Sequence, residues 1–336
     1  MMGKIICFGE LLLRLTAPGR ELLLQSGRLD AHVGGAEANV AVGLARMGHQ
    51  AAMISRVPEN ALGDAAIGHL RRYGVDATGV AVGPGRMGLY FLSPGAAQRA
   101  SEIVYDREGS SFALADSGDF DWDRLLAGAD WLHLSGITPA LGPQSARLAT
   151  EAAEAAAASG IKVSFDGNYR GQLWRRWDAD PRAILMPIVE KAAILFGNHR
   201  DIAMLLGTSF AGDGEERRRV SAEKAFAALP QLELIASTSR HVVDADTHRI
   251  AGRIDARDGA TQTEEVVVAG IVDRIGAGDA FAAGVLHGLF LGRDRDWSVR
   301  AGLALACLKH SLPGDASLFG PADLDSFMAG ELDVRR

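Results

Sequence analysis

Residues 272–289, VDRIGAGDAFAAGVLHGL, place two glycines around an alanine directly before an apolar helical pattern. At a helix N-terminus, Gly276, Ala277 and Gly278 let successive backbone N–H groups converge on one point, which makes a binding site for an anion. Asp279 comes next. Its carboxylate would repel a phosphate, so it does not suit a site that only binds phosphate. It fits a general base that accepts the proton of an attacking hydroxyl while the amides stabilise the phosphoryl group. A glycine turn with an aspartate helix cap has the same local pattern, so the motif alone leaves both interpretations open.

A second glycine-rich turn occurs near the N-terminus, in the segment GGAEAN at residues 34–39. Gly34 and Gly35 precede a helical pattern, and paired glycines at a strand-to-helix turn let the backbone approach a polyol closely. Asn39 carries an amide that donates and accepts hydrogen bonds toward sugar hydroxyls. The turn therefore indicates a sugar site, and a helix start with Asn39 facing solvent is the alternative.

Regular elements must position these two turns, and the chain alternates short apolar runs with longer helical patterns. Runs typical of strands occur at residues 5–8, 51–55, 131–136, 161–166, 192–197 and 232–237. Helical patterns that end at or just before a glycine cover residues 37–48, 144–159 and 278–291. The alternation predicts a mostly parallel central sheet with helices on both faces.

Two stretches, at about residues 11–33 and 86–112, interrupt this alternation with strand-like pieces separated by Pro-Gly turns. They predict paired strands outside the main sheet. Because open α/β sheets bind ligands beyond the carboxyl ends of their strands, a small sheet projecting over that edge would form a lid over the ligand.

The GAGD loop and the GG…N turn together resemble the two signature regions of the PfkB (ribokinase-like) carbohydrate kinases, and the resemblance spans essentially the whole chain. It implies a three-layer ribokinase-like α/β domain over residues 1–330, with the small β-sheet lid inserted in it. In that family the late loop supplies the anion hole and catalytic aspartate, matched by residues 276–279. The early turn holds the sugar, matched by Gly34, Gly35 and Asn39. Lids of this family often pair between subunits, which implies a homo-oligomer, a dimer or larger.

One branch of the family phosphorylates the sugar acid 2-keto-3-deoxygluconate, and this sequence is similar to that branch in GLYFL, IVYDREGS and FDGNYR. Carboxylate recognition in a protein of net charge −7 needs local cations, and arginine pairs with carboxylates through its planar fork. The expected substrate contacts are Tyr90, Tyr105, Arg107 and Arg170. Alternatively, the tyrosines pack between lids and the arginines form ordinary surface ion pairs.

The resemblance also implies ATP and Mg²⁺. The family's N-x-x-E element is matched by Asn198 with the shorter Asp201, whose alternative role is a helix start. No direct metal ligand is assigned, because Mg²⁺ keeps most of its waters. The family's glycine turn after the strand near residue 236 is replaced here, so Thr238 and Arg240 become candidates for the ATP phosphates. Residues 306–310 are expected to form the adenine pocket.

Composition narrows the remaining classes. A hydrophobic share of 48% with a net charge of −7 favours a soluble core-forming chain and disfavours nucleic-acid binding. The two cysteines, Cys7 and Cys307, provide no disulfide framework, and no apolar run is long enough for a membrane span, so a cytoplasmic location is expected. Kinases of fructose, ribose or nucleosides and a catalytically silent sugar-acid-binding protein stay as alternatives.

Overall fold

The apolar runs form two β-sheets in the computed structural model, which describes residues 3–212 and 214–331. The strands are β1 (Lys4–Phe8), β2 (Leu12–Thr16), β3 (Asp30–Gly34), β4 (Gln50–Pro58), β5 (Asp76–Gly83), β6 (Gly88–Ser93), β7 (Glu102–Asp106), β8 (Trp131–Ser135), β9 (Lys162–Asp166), β10 (Ala192–Phe196), β11 (Leu234–Val242), β12 (Thr247–Ala256), β13 (Gly259–Gln262) and β14 (Val266–Ala269). Each of the six predicted runs overlaps one of these strands and extends beyond it by no more than two residues.

The helices lie between the strands, as the alternation predicts. They are α1 (Ala36–Arg46), α2 (Ala61–Arg72), α3 (Trp122–Leu125), α4 (Pro143–Ala158), α5 (Gly171–Trp174), α6 (Pro181–Val189), α7 (His199–Leu206), α8 (Gly214–Ala228), α9 (Ala277–Phe290), α10 (Arg295–Lys309) and α11 (Pro321–Ala329). Among the described residues, none of these helices combines the length and the apolar character needed to cross a bilayer.

The central sheet has the order β13-β12-β11-β10-β9-β8-β1-β4-β5, with parallel pairing from β11 to β5 and antiparallel pairing among β11, β12, β13 and β14. Its central strands β1, β8, β9 and β10 are buried on both faces. In β1, for example, Ile6 and Phe8 pack into one core and Ile5 and Cys7 into the other. The core on one face includes residues of α4, α6, α7 and α8, and the core on the other includes residues of α1, α2, α9 and α10. The predicted three-layer α/β class is confirmed.

The second sheet, here called the lid, has the order β3-β2-β6-β7. Its strands come from the two interrupted stretches, with β3 ending at Gly34. Strand β2 pairs parallel with β6, so the lid joins the two stretches in one sheet. The domain bounds of 1–330 stay a prediction, and residues 1, 2 and 213 lie outside the described residues.

Candidate active site

A cleft of about 820 Å³ lies between the lid and the central sheet. Strands β9, β10 and β11 contribute their carboxyl ends or the residues that follow, and the lid contributes β6 and β7. The cleft brings together twelve of the predicted site residues: Gly35, Asn39, Tyr90, Tyr105, Arg107, Arg170, Asn198, Thr238, Arg240, Gly276, Gly278 and Asp279. Gly34 and Ala277 are not among the residues that line it.

Gly34 lies behind the cleft wall instead, where a Cβ would overlap the side chain of Asp315. Its neighbour Gly35 has φ 140° and precedes α1, and a Cβ there would overlap the carbonyl oxygen of Glu10. Both positions therefore need glycine for a close approach of backbone to a neighbouring segment. Only Gly35 presents its backbone to the cleft.

Asp279 is partly buried in the first turn of α9, where the Asn39 side chain reaches it from α1. Asn39 Nδ2 donates to Asp279 Oδ2 at 2.7 Å. Burial raises the pKa of Asp279 to about 8 against the opposing effect of this hydrogen bond. The negative charges of Asp166 and Asp315 contribute to this increase. The two predicted motifs thus meet at one carboxyl group that binds protons readily.

The N-terminus of α9 has the geometry of an anion site. Gly276 caps the helix with φ 78°, a left-handed conformation that favours glycine, and a Cβ there would overlap the carbonyl oxygen of Asp315. A Cβ on Gly278 would meet no atom within 4 Å, so open space lies over the first turn. Backbone N–H groups in a first turn have no acceptor within their own helix. The N–H of Ala277 donates a long 3.4 Å hydrogen bond to the carbonyl of Arg274, so the other N–H groups of the turn are the main donors to an anion.

A network of ion pairs and hydrogen bonds positions the loop that precedes α9. Arg14 of β2 donates to Asp273 at 2.5 Å, and its Nε lies 3.1 Å from Oδ1 of Asp315. Asp273 also accepts hydrogen bonds from the backbone N–H groups of Ile275 and Gly314. The negative charges of Asp315 and Asp273 raise the pKa of Arg14, so the guanidinium is charged despite burial.

The segment after β7 of the lid and the segment after β9 each bring an arginine to the cleft. Arg107 is 3% exposed, and its Nε lies 2.5 Å from Glu10 Oε2, so one edge of the guanidinium is already paired. Arg170 is exposed where α5 begins, and its Nη1 donates to the carbonyl of Tyr169. Among the described residues, Arg170 forms no ion pair within 4 Å.

Two tyrosines line the cleft from the lid. Tyr90 is 7% exposed and donates a 2.6 Å hydrogen bond from its hydroxyl to Asp315, while its ring centroid lies 6.3 Å from that of Tyr105. The hydroxyl of Tyr90 is therefore already engaged with protein, and its ring is the part available to a ligand.

Asn198 and Asp201 form a capping box at the start of α7, which agrees with the alternative role of a helix start. Asn198 Oδ1 accepts from the N–H of Arg200, and Asp201 Oδ2 accepts from the N–H of Asn198. Asp201 nevertheless lines the cleft together with Asp166, and the two carboxyl groups interact electrostatically. Burial first and the charge of Asp201 second raise the pKa of Asp166 to about 7, and burial raises the pKa of Asp201. A cation bound near both carboxyl groups would displace their protons, and the resulting carboxylates would stabilise it.

Strand β11 continues through the segment that replaces the family's glycine turn, so Thr238 and Arg240 stand on a regular strand paired with β12. Both line the cleft and are exposed at its mouth. Although the residue is exposed at the surface, partial desolvation lowers the pKa of Arg240, and the positive charge of Arg274 lowers it as well. Two positive charges that line the same cleft favour an anionic ligand.

A family model of the pfkB family carbohydrate kinases matches residues 2–319. The chain belongs to this family. The resemblance carried by the GAGD loop and the GG…N turn is thereby confirmed over nearly the whole chain.

Relatives of this kinase include a 2-dehydro-3-deoxygalactonokinase of Haloferax volcanii, 30% identical and covering 98% of each chain. A fructokinase of Klebsiella pneumoniae is 32% identical, over 86% of this chain and 85% of its own. The crystal structure of a 2-dehydro-3-deoxygluconokinase from Thermotoga maritima superimposes with a TM-score of 0.93 at 36% identity, covering 98% of this chain and 100% of its own.

As a family member, the kinase transfers a phosphoryl group to a sugar hydroxyl. Sequence reasoning missed three residues that line its cleft and two that form ion pairs with cleft residues. The first three are Asp166, Arg274 and Asp315, and the other two are Glu10 and Arg14. Arg14 left a signal, because a charged residue stands in the apolar run LLLRL. Its two partners are some 260 and 300 residues away, and no local pattern connects such distant positions.

Asn168 is a further cleft residue with unusual backbone. It has φ 36°, and its side chain lies 3.4 Å from the hydroxyl of Ser135, which in turn donates to the buried Glu37. Positive φ in a residue other than glycine marks a strained position that the surroundings hold in place. Among residues 3–212 and 214–331, no group of three or more His, Cys, Asp or Glu side chains is arranged to hold a metal ion.

Proposed function

We propose that this kinase phosphorylates the terminal hydroxyl of 2-keto-3-deoxygluconate, also called 2-dehydro-3-deoxygluconate, with Mg·ATP as the donor. The observation that carries the proposal is the pair of arginines, Arg107 from the lid and Arg170 from the end of β9, at the same cleft as Asp279. The names of the relatives from Haloferax volcanii and Thermotoga maritima support a keto-deoxy sugar acid.

The sugar acid enters with its carboxylate toward these arginines. Arg107 is held through Nε by Glu10, and its two terminal nitrogens have no hydrogen-bond partner among the described residues. Such a fixed fork loses little freedom when it pairs with a carboxylate. Arg170 supplies the second cation. The rings of Tyr90 and Tyr105 cover the sugar from the lid side and keep water away from it.

Asp279 then accepts the proton of the terminal hydroxyl as that oxygen attacks. Asn39 holds the carboxylate through its 2.7 Å hydrogen bond, and the backbone of Gly35 lines the cleft beside it. The amides at Gly276, Ala277 and Gly278 stabilise the negative charge that develops on the transferred group. In this proposal the acceptor hydroxyl lies in contact with both the base and the anion site.

The donor occupies the other part of the cleft in this proposal. Thr238, Arg240 and Arg274 line it there and suit the phosphates of ATP, and two crystal structures of the same fold contain ATP. Mg²⁺ bound with the nucleotide neutralises phosphate charge. Asp166 and Asp201, whose carboxyls have raised pKa values, would hold the ion through its waters.

The decisive experiment is an ADP-release assay with Mg·ATP across 2-keto-3-deoxygluconate, 2-keto-3-deoxygalactonate, gluconate, fructose, ribose and adenosine. Turnover with the keto-deoxy acids supports the proposal. Arg107→Ala should raise KM for the acid about 10- to 100-fold, because a charge-assisted contact is lost. Arg28→Ala, at an arginine 71% exposed beside β3, is the matched control and should change nothing.

A neutral-sugar kinase is the second candidate, and one contact favours it. Glu10 pairs with Arg107, so part of the positive charge expected for a sugar acid is already neutralised inside the protein. The fructokinase of Klebsiella pneumoniae agrees with this alternative. Preference for fructose, with Arg107→Ala affecting fructose as much as any acid, would overturn the sugar-acid proposal and leave Asp279 in its role.

We also propose a homo-oligomer built through the lids. The face of the lid away from the cleft carries Leu13, Leu15, Phe91 and Val104, and Val104 is 46% exposed. A second copy would cover this apolar face. Sedimentation velocity should show a dimer or larger assembly that Val104→Glu dissociates. A monomeric wild type would contradict the proposal.

A cytoplasmic location completes the proposal. Cys7 and Cys307 are both buried free thiols, and no described segment forms a membrane-crossing helix. Unpaired cysteines are typical of reducing compartments.

A further inference from the structure

Arg14 is a fully buried cation on a strand of the lid, with 0% exposure. A guanidinium removed from water is costly unless carboxylates pair with it. Arg14 meets two of them, Asp273 at 2.5 Å and Asp315 at 3.1 Å, and neither comes from the lid. Asp273 begins the loop that leads to Gly276, and Asp315 follows α10. One lid side chain therefore ties the lid to two separate segments of the main domain.

Both partners of Arg14 shape the anion site at the start of α9. The carboxylate of Asp273 accepts from the N–H of Ile275 at 3.0 Å and of Gly314 at 3.1 Å, which sets the turn just before Gly276. The backbone carbonyl of Asp315 packs directly against Gly276, where it leaves no room for a Cβ. A displacement of either carboxylate would move the amides that receive the phosphoryl group.

The same network reaches the acceptor side of the cleft. Tyr90, whose ring lines the cleft, donates to Oδ2 of Asp315 at 2.6 Å, while Arg14 approaches the other oxygen. The inner face of the lid also packs Leu12 and Tyr90 in one apolar cluster with Ile275 of the loop. Residues that touch the acceptor and residues that form the anion site thus share Asp315.

We propose that Arg14 is a positioning residue that couples acceptor binding under the lid to the geometry of the anion site. The inference rests on the proposed function only in that an acceptor sugar binds beneath the lid and donor phosphates bind at residues 276–278. It assigns neither the identity of the sugar nor a contact of Arg14 with substrate. Its consequence is cooperative binding: the acceptor fixes Tyr90 and the lid, Arg14 fixes Asp273 and Asp315, and donor binding is strengthened.

Isothermal titration calorimetry tests this coupling with β,γ-imido-ATP and Mg²⁺, in the presence and absence of whichever sugar the wild type phosphorylates. We expect saturating sugar to tighten the nucleotide at least about fivefold in the wild type. Arg14→Met should reduce this factor below about twofold, with each ligand alone bound within about threefold of the wild type, and should lower kcat about 100-fold. Arg28→Met, an exposed arginine beside the lid, is the matched control and keeps both coupling and turnover.

Persistent coupling in Arg14→Met, or no coupling in the wild type, would overturn the proposal. A variant that merely weakens the fold lowers the active fraction without changing the ratio of the two affinities. If Arg14→Met does not fold, Arg14→Lys serves, because it keeps the buried charge but cannot bridge two carboxylates. It must show the same loss of coupling. Failure of the sugar-acid assignment would appear in the substrate panel and would leave this result intact.

Discussion

At the scale of single residues, the chemistry depends on the protonation of Asp279. Its pKa is raised to about 8 because burial disfavours the charged form, and the hydrogen bond from Asn39 opposes that increase. A carboxyl group with so high a pKa is a much stronger base than an exposed aspartate, which is what proton removal from a sugar hydroxyl requires. The same burial keeps the Asp279 carboxyl group protonated in most molecules of the free enzyme at neutral pH.

Asp279→Asn should lower kcat about 10³-fold, because an amide cannot accept the proton of the attacking hydroxyl. The ADP-release assay measures the loss, and calorimetry with β,γ-imido-ATP should show that the nucleotide still binds. Asp64→Asn, on the exposed surface of α2, is the control and should keep full turnover. Turnover close to the wild type in Asp279→Asn would rule out a general base at this position.

The pH dependence of kcat/KM should report the same group. Because only the deprotonated carboxylate can act as a base, kcat/KM should rise with pH and level off above about 8. Asn39→Ala removes the hydrogen bond that lowers this pKa, so the rising limb should move to higher pH. A profile measured from pH 6 to 9.5 checks both. A limb that moves to lower pH in Asn39→Ala contradicts the assignment, whatever happens to the maximal rate.

At the scale of elements, the start of α9 separates two uses of glycine. Gly276 needs its left-handed φ of 78° and has no room for a Cβ, whereas Gly278 lies in the regular first turn beneath open space. The loop therefore demands glycine for folding at one position, and at the other position glycine keeps the space where we place the phosphoryl group.

Gly276→Ala and Gly278→Ala form a matched pair that tests this difference. Gly276→Ala should lose both turnover and stability, because the new Cβ collides with backbone. Gly278→Ala should keep or raise the melting temperature, since alanine favours a helix by about 0.5–1 kcal/mol. It should nevertheless lower kcat/KM for ATP at least about tenfold. Calorimetric melting and steady-state kinetics check the pair, and full activity in Gly278→Ala would move the anion site elsewhere.

Some of the helices and strands could be predicted from the sequence, and others could not. Apart from the edge strand β5, the parallel strands of the central sheet were predictable, as were α1, α4, α9 and the lid strands, because each depends on a local period or a turn signal. The antiparallel extension by β12, β13 and β14 was not, since the pairing of β11 with β12 replaces an expected turn and depends on distant partners. Likewise, Asn39 and Asp279 were found by their motifs, but their hydrogen bond joins positions 240 residues apart.

At the scale of the whole molecule, carboxyl groups with raised pKa values collect at the carboxyl edge of the sheet. Asp166, Asp279 and Asp315 all lie there, and burial is the largest cause for each. Groups arranged this way bind protons more tightly in the folded state than in the unfolded chain. Their contribution to stability is complete below the ordinary pKa near 4 and disappears as the pH rises through the folded value.

The kinase should therefore lose stability between pH 7.0 and 8.5, a window that contains the folded pKa of about 8 for Asp279. Most histidines of the unfolded chain are already neutral there, so their buried counterparts add little slope. The melting temperature should fall by about 2–4 °C for each kcal/mol lost. Asp279→Asn should be more stable than the wild type at pH 8.5 and lose most of the slope.

Asp258→Asn is the matched control for this measurement. Asp258 is exposed, and its hydrogen bond with Arg295 lowers its pKa, so it is fully ionised throughout the window and cannot produce the slope. An unchanged slope in Asp279→Asn would place the titration on another group. A loss of the slope in that variant alone would mean that the carboxylate proposed as the base also destabilises the fold at the pH where it is ready to act. Activity and stability would then oppose each other through one buried group.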